Sequence, residues 1–128
     1  MSVTRLELGK AGEQAGVSYL KKIGFKILEI NYRTFLGEID CIARDKDATV
    51  FIEIKTRNSS RYGAPEEAVD VRKQRKMTQV AQIYLKKHGL IDKGPVRFDV
   101  LAIQGIEGGQ PGFNHIKHAF EIESKENT

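Results

Sequence analysis

Residues 37 to 55 read Gly-Glu-Ile-Asp-Cys-Ile-Ala-Arg-Asp-Lys-Asp-Ala-Thr-Val-Phe-Ile-Glu-Ile-Lys. Two strand-like runs here carry acidic side chains at positions where apolar ones are expected. Alternate residues of a strand share a face. In the second run Val50, Ile52 and Ile54 point one way, and Phe51, Glu53 and Lys55 the other. In the first run the period puts Ile39, Cys41 and Ala43 on one face, and Glu38, Asp40 and Ile42 on the other. The polar break Asp45-Lys46-Asp47 predicts an antiparallel hairpin. A turn centred on Lys46 and Asp47 pairs Arg44 with Thr49. Continued outward, that register sets Asp40 opposite Glu53 and Glu38 opposite Lys55. Cross-strand partners have Cβ atoms about 5 Å apart, so two carboxylates and an ammonium would converge on one patch. That suits a hard divalent cation with a lysine beside it. The competing reading is a solvated hairpin face with cross-strand ion pairs. Against it, both runs have bulky apolar residues on both faces, as in an internal strand covered on two sides. A charge there needs a partner or a metal.

The rest of the chain sets bounds on this reading. With 128 residues, 40% apolar and 30% charged, it is long enough for one domain with a real core. The expected division is a single domain over residues 1–123 and a frayed tail over 124–128. No long apolar run and no secretory leader is evident, so a cytoplasmic protein without membrane contact is expected. Cys41 is the one cysteine, which excludes an intramolecular disulfide and a cysteine-rich zinc site. It is expected to pack as a small apolar residue.

The charge is unevenly spread. The chain is net +4 with a pI near 9.2. Residues 55–97 carry 11 Lys/Arg against 4 Asp/Glu, residues 1–54 carry 8 of each, and residues 98–128 carry 2 against 5. Positive excess therefore begins where the acidic hairpin ends. A basic segment beside an acidic patch fits a polyanion guided to a metal.

Thr4-Arg5-Leu6-Glu7 has capping-box form and predicts the start of a helix. Leu8, Gly12, Ala15, Tyr19, Leu20 and Ile23 give its apolar stripe, and Gly24 its stop. Gly9, Gly12 and Gly16 each cost about 1 kcal/mol relative to Ala inside a helix, which makes sense where the backbone closely approaches a neighbour. Glu13 borders the stripe; it either leans over the end of the sheet toward Asp40 or is a surface carboxylate. A strand is expected over 25–33, then the hairpin to Thr56, then a polar loop over 57–65 placed to meet substrate. The second helix starts either at Pro65-Glu66-Glu67 or with Asp70 as N-cap, and ends at Gly89. Met77, Val80, Ala81 and Tyr84 form its buried stripe. Arg72, Arg75, Lys76, Gln79 and Gln82 form an outer one, which either tracks phosphates or is an ordinary solvated face. Strands are expected at 96–104 and 115–122. This order predicts an α/β layered domain with a mixed sheet flanked by helices.

Other candidates carry less. Asp99 sits in an apolar strand, either as an acid supporting the site or in a buried ion pair with Arg97 or Arg57. His115 and His118 are poorly spaced to share a metal on a strand, and His88 ends a helix, where a cation is favoured. No phosphate-binding glycine loop and no nucleophile elbow is present.

Asp40 followed by Glu53-Ile54-Lys55 resembles the PD-(D/E)xK nucleases. The likeness extends through Gly9-x-x-Gly12-Glu13, Asn31-Tyr32-Arg33, Gly37-Glu38-Ile39-Asp40-x-Ile42-Ala43-Arg44, Val50-Phe51-x-Glu53-x-Lys55-Thr56-Arg57, Glu67-Ala68-Val69, Lys73-x-Arg75, Arg97-Phe98-Asp99-Val100 and His115-Ile116-x-x-Ala119-Phe120. Together these resemble the YraN-type bacterial family, which is similar to Holliday junction resolvases. The departure at Ile39, where the superfamily's motif has Pro, leaves the chemistry untouched. The resemblance implies a restriction-endonuclease-like core, with Asp40, Glu53 and Lys55 at the catalytic positions and Glu13 as an acid from the first helix.

The expected activity is metal-dependent hydrolysis of phosphodiester bonds in DNA, branched or Holliday-junction-like substrates included. Asp40 and Glu53 would hold Mg²⁺ or Mn²⁺. Lys55 would steady the water or the charge of the transition state. Arg57, Arg61, Arg72, Arg75 and Lys76 would grip the nucleic-acid backbone. The alternative is a non-catalytic nucleic-acid-binding module with a vestigial metal site, and a third reading is an interaction protein whose acidic hairpin is only structural. DNA against RNA and the oligomeric state, a homodimer included, stay open.

Overall fold

A computed structural model describes residues 4–57, 69–106 and 110–121. Helix α1 (Arg5–Lys22) leads into strands β1 (Lys26–Thr34), β2 (Gly37–Asp45) and β3 (Ala48–Arg57); helix α2 (Val71–Lys87) and strands β4 (Val96–Gln104) and β5 (Gly112–Phe120) follow. The strands form one sheet in the order β1-β2-β3-β4-β5. Only β3 and β4 run parallel, and α2 lies on the connection between them. This mixed five-stranded sheet with two helices is an α/β fold consistent with a restriction-endonuclease-like core. The expected tail at 124–128 and the loop at 58–65 lie outside the described residues.

Local signals set the helix ends. The Thr4 side chain accepts a hydrogen bond from the Glu7 N–H at 3.1 Å. Of the two candidate starts for α2, Asp70 is the N-cap, its carboxylate accepting from the Lys73 N–H at 2.8 Å. Gly24 and Gly89 follow the two helices in the left-handed region, where glycine has no Cβ penalty.

The helices cover opposite faces of the sheet. On one, Leu20 of α1 packs with Phe25, Cys41, Val50, Ile52, Ile54, Leu101 and Ile103. On the other, Met77, Val80, Ala81, Tyr84 and Leu85 of α2 pack with Ile42, Phe51, Phe98 and Val100. α1 comes close enough to β3 that a Cβ on Gly12 would overlap the Thr56 side chain, and one on Gly16 would press on Ile54 and Ile103 at 3.2 Å. That proximity is the reason for glycine at both positions; Gly9 faces open space. Ile23, expected on the buried stripe, is 42% exposed, because it is the C-cap of α1 and the chain turns away there.

The hairpin forms with the expected turn, pairing Arg44 with Thr49. Two expectations about its far end are corrected. The ladder between β2 and β3 stops at Cys41 and Ile52, so Glu38 does not lie across from Lys55. It sits opposite Arg33 on β1 and forms an exposed ion pair with it at 3.0 Å. The simple alternation also breaks at Asp40: Ile39 packs with Ile42 on the α2 face, while Cys41 stays on the α1 face. Asn31, opposite this point on β1, has φ +54°, a left-handed backbone that reverses the side-chain sequence locally. The last strand begins at Gly112 and ends at Phe120, because it pairs with Gln104 at one end and Phe98 at the other.

Candidate functional site

Where the hairpin ladder stops, β2 and β3 part, and Asp40 turns into the opening. Its carboxylate accepts a hydrogen bond from the Ile54 N–H at 2.8 Å. Continued pairing would have given that N–H to the main chain of β2; the side chain takes it instead. The bond holds Asp40 on the side of Glu53, whose carboxylate acts on it electrostatically. The proximity of these two acids, expected from the register, therefore arises by a different route: a side chain capping the end of a ladder.

Crowding two carboxylates in a half-buried place has an electrostatic cost. Burial first, then the hydrogen bond and negative charge of Glu53, push the Asp40 carboxyl up to about 8; the charge of Glu13 adds to the rise and the Ile54 N–H opposes it. Next to it, Cys41 is buried among apolar neighbours. Burial and the charge of Asp40 push its thiol up to about 12, so it is an inert core residue.

Glu13 comes from the α1 layer. Its Oε2 is 3.4 Å from the Asn31 Nδ2. It divides two shallow grooves along α1, one of about 500 Å³ bordered by Lys10 and Asn31, the other of about 390 Å³ bordered by Arg5, Thr56 and Arg57. The negative charge of Glu13 adds to that felt by Asp40, while its hydrogen-bond partner is Asn31.

From the opposite layer, α2 supplies a residue that sequence reasoning missed. The Lys73 Nζ lies 2.8 Å from the Glu53 Oε2, with the lysine side chain 45% and the glutamate 12% exposed. Burial alone would lower the Lys73 ammonium's affinity for its proton. The hydrogen bond to Glu53 and the charges of Glu53, Asp40 and Glu38 outweigh it and raise the pKa above the usual lysine range. A signal was present: Lys73 precedes Met77 by four residues and Val80 by seven, so it continues the buried stripe of α2 with a charge where an apolar residue is expected.

The other predicted residues are placed as follows. Lys55 is exposed on β3, two residues beyond Glu53 and on the same face by alternation. Arg57 ends β3 and is 9% exposed. Arg72, Arg75 and Lys76 are all exposed on α2. Arg61 lies outside the described residues. Asp99 belongs to a separate structural network: Arg97 donates to both its oxygens at 2.8 and 2.9 Å and to Asp45 at 2.9 Å. The His115 ring and the His118 N–H complete it at 2.8 and 3.0 Å. Asp99 is fully buried, and these bonds overcome the effect of burial to hold its pKa below the usual carboxylate range.

Asp40 and Glu53 present an all-oxygen donor set, which fits Mg²⁺ or Mn²⁺ rather than a soft metal. Among the described residues no three His, Cys, Asp or Glu side chains come together at metal-ligand spacing. The protein therefore offers two carboxylates, and the remaining positions of such an ion would fall to water and substrate oxygens, the usual habit of Mg²⁺. Among the described residues no helix is long and apolar enough to cross a membrane.

The chain was compared with known proteins. The model of the uncharacterised protein family UPF0102 matches residues 12–103. A UPF0102 protein of Alkaliphilus oremlandii is 46% identical over 115 residues, covering 89% of this chain and 97% of the relative. One of Clostridium botulinum is 45% identical over 117 residues, covering 91% and 95%. One of Geobacter metallireducens is 43% identical over 122 residues, covering 95% and 98%.

Proposed function

The chain belongs to the uncharacterised protein family UPF0102, and from the site it carries we propose that it is a divalent-metal-dependent endonuclease acting on DNA in the cytoplasm. The observation that carries this reading is the convergence of Asp40 and Glu53 in the opening between β2 and β3. Two carboxylates pressed together, one already oriented by a main-chain N–H, favour a small cation over remaining mutually repelled.

A bound Mg²⁺ or Mn²⁺ would supply Lewis-acid polarisation of the phosphate and a water activated near neutral pH. Asp40 and Glu53 would hold the ion, and the Ile54 N–H fixes the Asp40 carboxylate for it. Lys55, exposed two residues beyond Glu53 on β3, would offer its ammonium to the phosphate oxygens as negative charge builds in the transition state. Glu13, from the α1 side, would add a carboxylate that could support this ion through water, or a second ion. Arg72, Arg75 and Lys76 present a basic helix face to the phosphate backbone. The likeness to Holliday junction resolvases makes branched DNA the first substrate to try.

The test is cleavage of linear, flapped and four-way DNAs by the purified protein with Mg²⁺, with Mn²⁺ and with chelator. Metal-dependent cutting that disappears in Asp40→Asn supports the proposal. Binding without cutting under every condition would leave the non-catalytic binding module in its place.

A further inference from the structure

We propose that Lys73 is a positioning residue of this site: it occupies Glu53 until a divalent cation enters, and its released ammonium then holds a phosphate of the nucleic acid. The inference rests on the reading of Asp40 and Glu53 as the metal-binding pair.

Three observations carry it. Lys73 is 2.8 Å from the Glu53 Oε2, an oxygen that the cation also needs. A carboxylate oxygen committed to an ammonium is a poorer metal ligand, since the two cations compete for the same lone pairs and repel one another. Second, Lys73 lies in the first turn of α2, its own N–H bound to the Asp70 cap at 2.8 Å. Its backbone is therefore fixed, while its long side chain is about half exposed, with solvent on one side into which it could turn. Third, it stands at the end of the buried stripe of α2, and Arg72, Arg75 and Lys76 lie exposed on the same helix. A displaced Lys73 ammonium thus turns toward the side from which a phosphate backbone would approach.

The arrangement ties metal entry to substrate. Without nucleic acid, Lys73 partly neutralises the carboxylate pair and weakens cation binding. With a phosphate nearby, the ammonium has a second anion to bind, and Glu53 is released to the metal. Each ligand should therefore strengthen the other's binding by the same factor.

The test is calorimetric titration of the full chain with Mn²⁺ alone, then with Mn²⁺ plus duplex DNA, for wild type, Lys73→Met, Lys73→Gln and Lys73→Arg. Asp40→Asn and Glu53→Gln serve as references for the site itself. Lys73→Met and Lys73→Gln should bind Mn²⁺ alone about three- to tenfold more tightly, the scale of one half-exposed charged hydrogen bond. They should also lose most of the strengthening that DNA gives to Mn²⁺ binding. Lys73→Arg should restore both properties, which a merely structural role would not require. Unchanged or weaker Mn²⁺ affinity in folded Lys73→Met, with binding still abolished by Asp40→Asn, would overturn the role of Lys73 and leave the metal pair standing. Failure of every protein to bind Mn²⁺ through Asp40 and Glu53 would overturn both.

Discussion

Asp40 concentrates the chemistry at the scale of single residues. It is a carboxylate that caps a ladder, and its neighbour Glu53 is another acid. Its raised pKa has a consequence for stability. In the unfolded chain it titrates near 3.8, and in the fold near 8. A group with a raised folded pKa contributes stability that is fully present below its unfolded pKa and is lost as pH rises through the folded one. In chelator, urea denaturation should therefore show Asp40→Asn gaining stability relative to wild type as pH rises from about 4 to about 8. Mn²⁺ should narrow the gap, because the ion takes over the proton's task of quieting the pair. A gap that stayed flat with pH would mean the two acids do not burden one another. The proposed nuclease activity rests on the same residues. Asp40→Asn, Glu53→Gln and Lys55→Ala should each slow DNA cleavage at least about 100-fold, with circular dichroism unchanged. If Glu13 acts only through water, Glu13→Gln should fall between these and wild type.

The helices and strands are positioned by contacts that a single side chain can upset. α1 meets β3 through glycines, and their environments differ. At Gly12 an added Cβ would overlap Thr56, whereas Gly9 faces open space. Both changes to alanine would improve helix propensity by about 1 kcal/mol. Gly9→Ala should therefore stabilise the protein by about 0.5–1 kcal/mol. Gly12→Ala should destabilise it by about 1–3 kcal/mol, because the overlap with Thr56 must be relieved by moving the helix off the strand. Denaturation midpoints of the two variants read this directly. If both moved the same way, the close approach of α1 to β3 would be wrong. The two edges of the parallel pair are held differently. Asp99 is bonded to Arg97, His115 and the His118 N–H, and this satisfies a charge that burial would otherwise make costly. His118 has φ +54°, and the β4–β5 register shifts between Phe98 and Val100. The shift lets β5 bulge around Asp99 and offer it a backbone N–H.

The whole molecule divides its charge. Asp40 and Glu53 of the hairpin meet at the opening of the sheet, and Arg72, Arg75 and Lys76 stand exposed on the helix that covers the Glu53 face. Under the proposed function such a layout would draw a polyanion toward the carboxylates while the helix met the phosphates. Reversing the charge of Arg72, Arg75 and Lys76 together should weaken DNA binding. It should also flatten the slope of log K against log salt by about 2 to 3, close to 0.9 for each phosphate that is no longer neutralised. A titration over several salt concentrations checks both. Unchanged affinity and slope would move the interface to another surface.

The sequence by itself determined what depends on neighbours along the chain. The turn at Lys46-Asp47 set the Arg44–Thr49 pair, since a short loop leaves only one register. The period of two put Glu53 on the face of Phe51, and the period of 3.6 found the buried side of α2 in Met77, Val80, Ala81 and Tyr84. The resemblance carried by Asp40 and Glu53-Ile54-Lys55 pointed to the family to which the chain belongs. Only the tertiary structure decided where the ladder would stop, because there a side-chain carboxylate and a main-chain carbonyl compete for the Ile54 N–H. That competition sent Ile39 to the α2 face and Glu38 to Arg33 instead of Lys55. It also decided that Lys73, twenty residues beyond Glu53 in the chain, would be the ammonium at hydrogen-bond distance from it. A helix laid across a sheet sets such a contact through its packing depth and rotation, and neither is written in a local period.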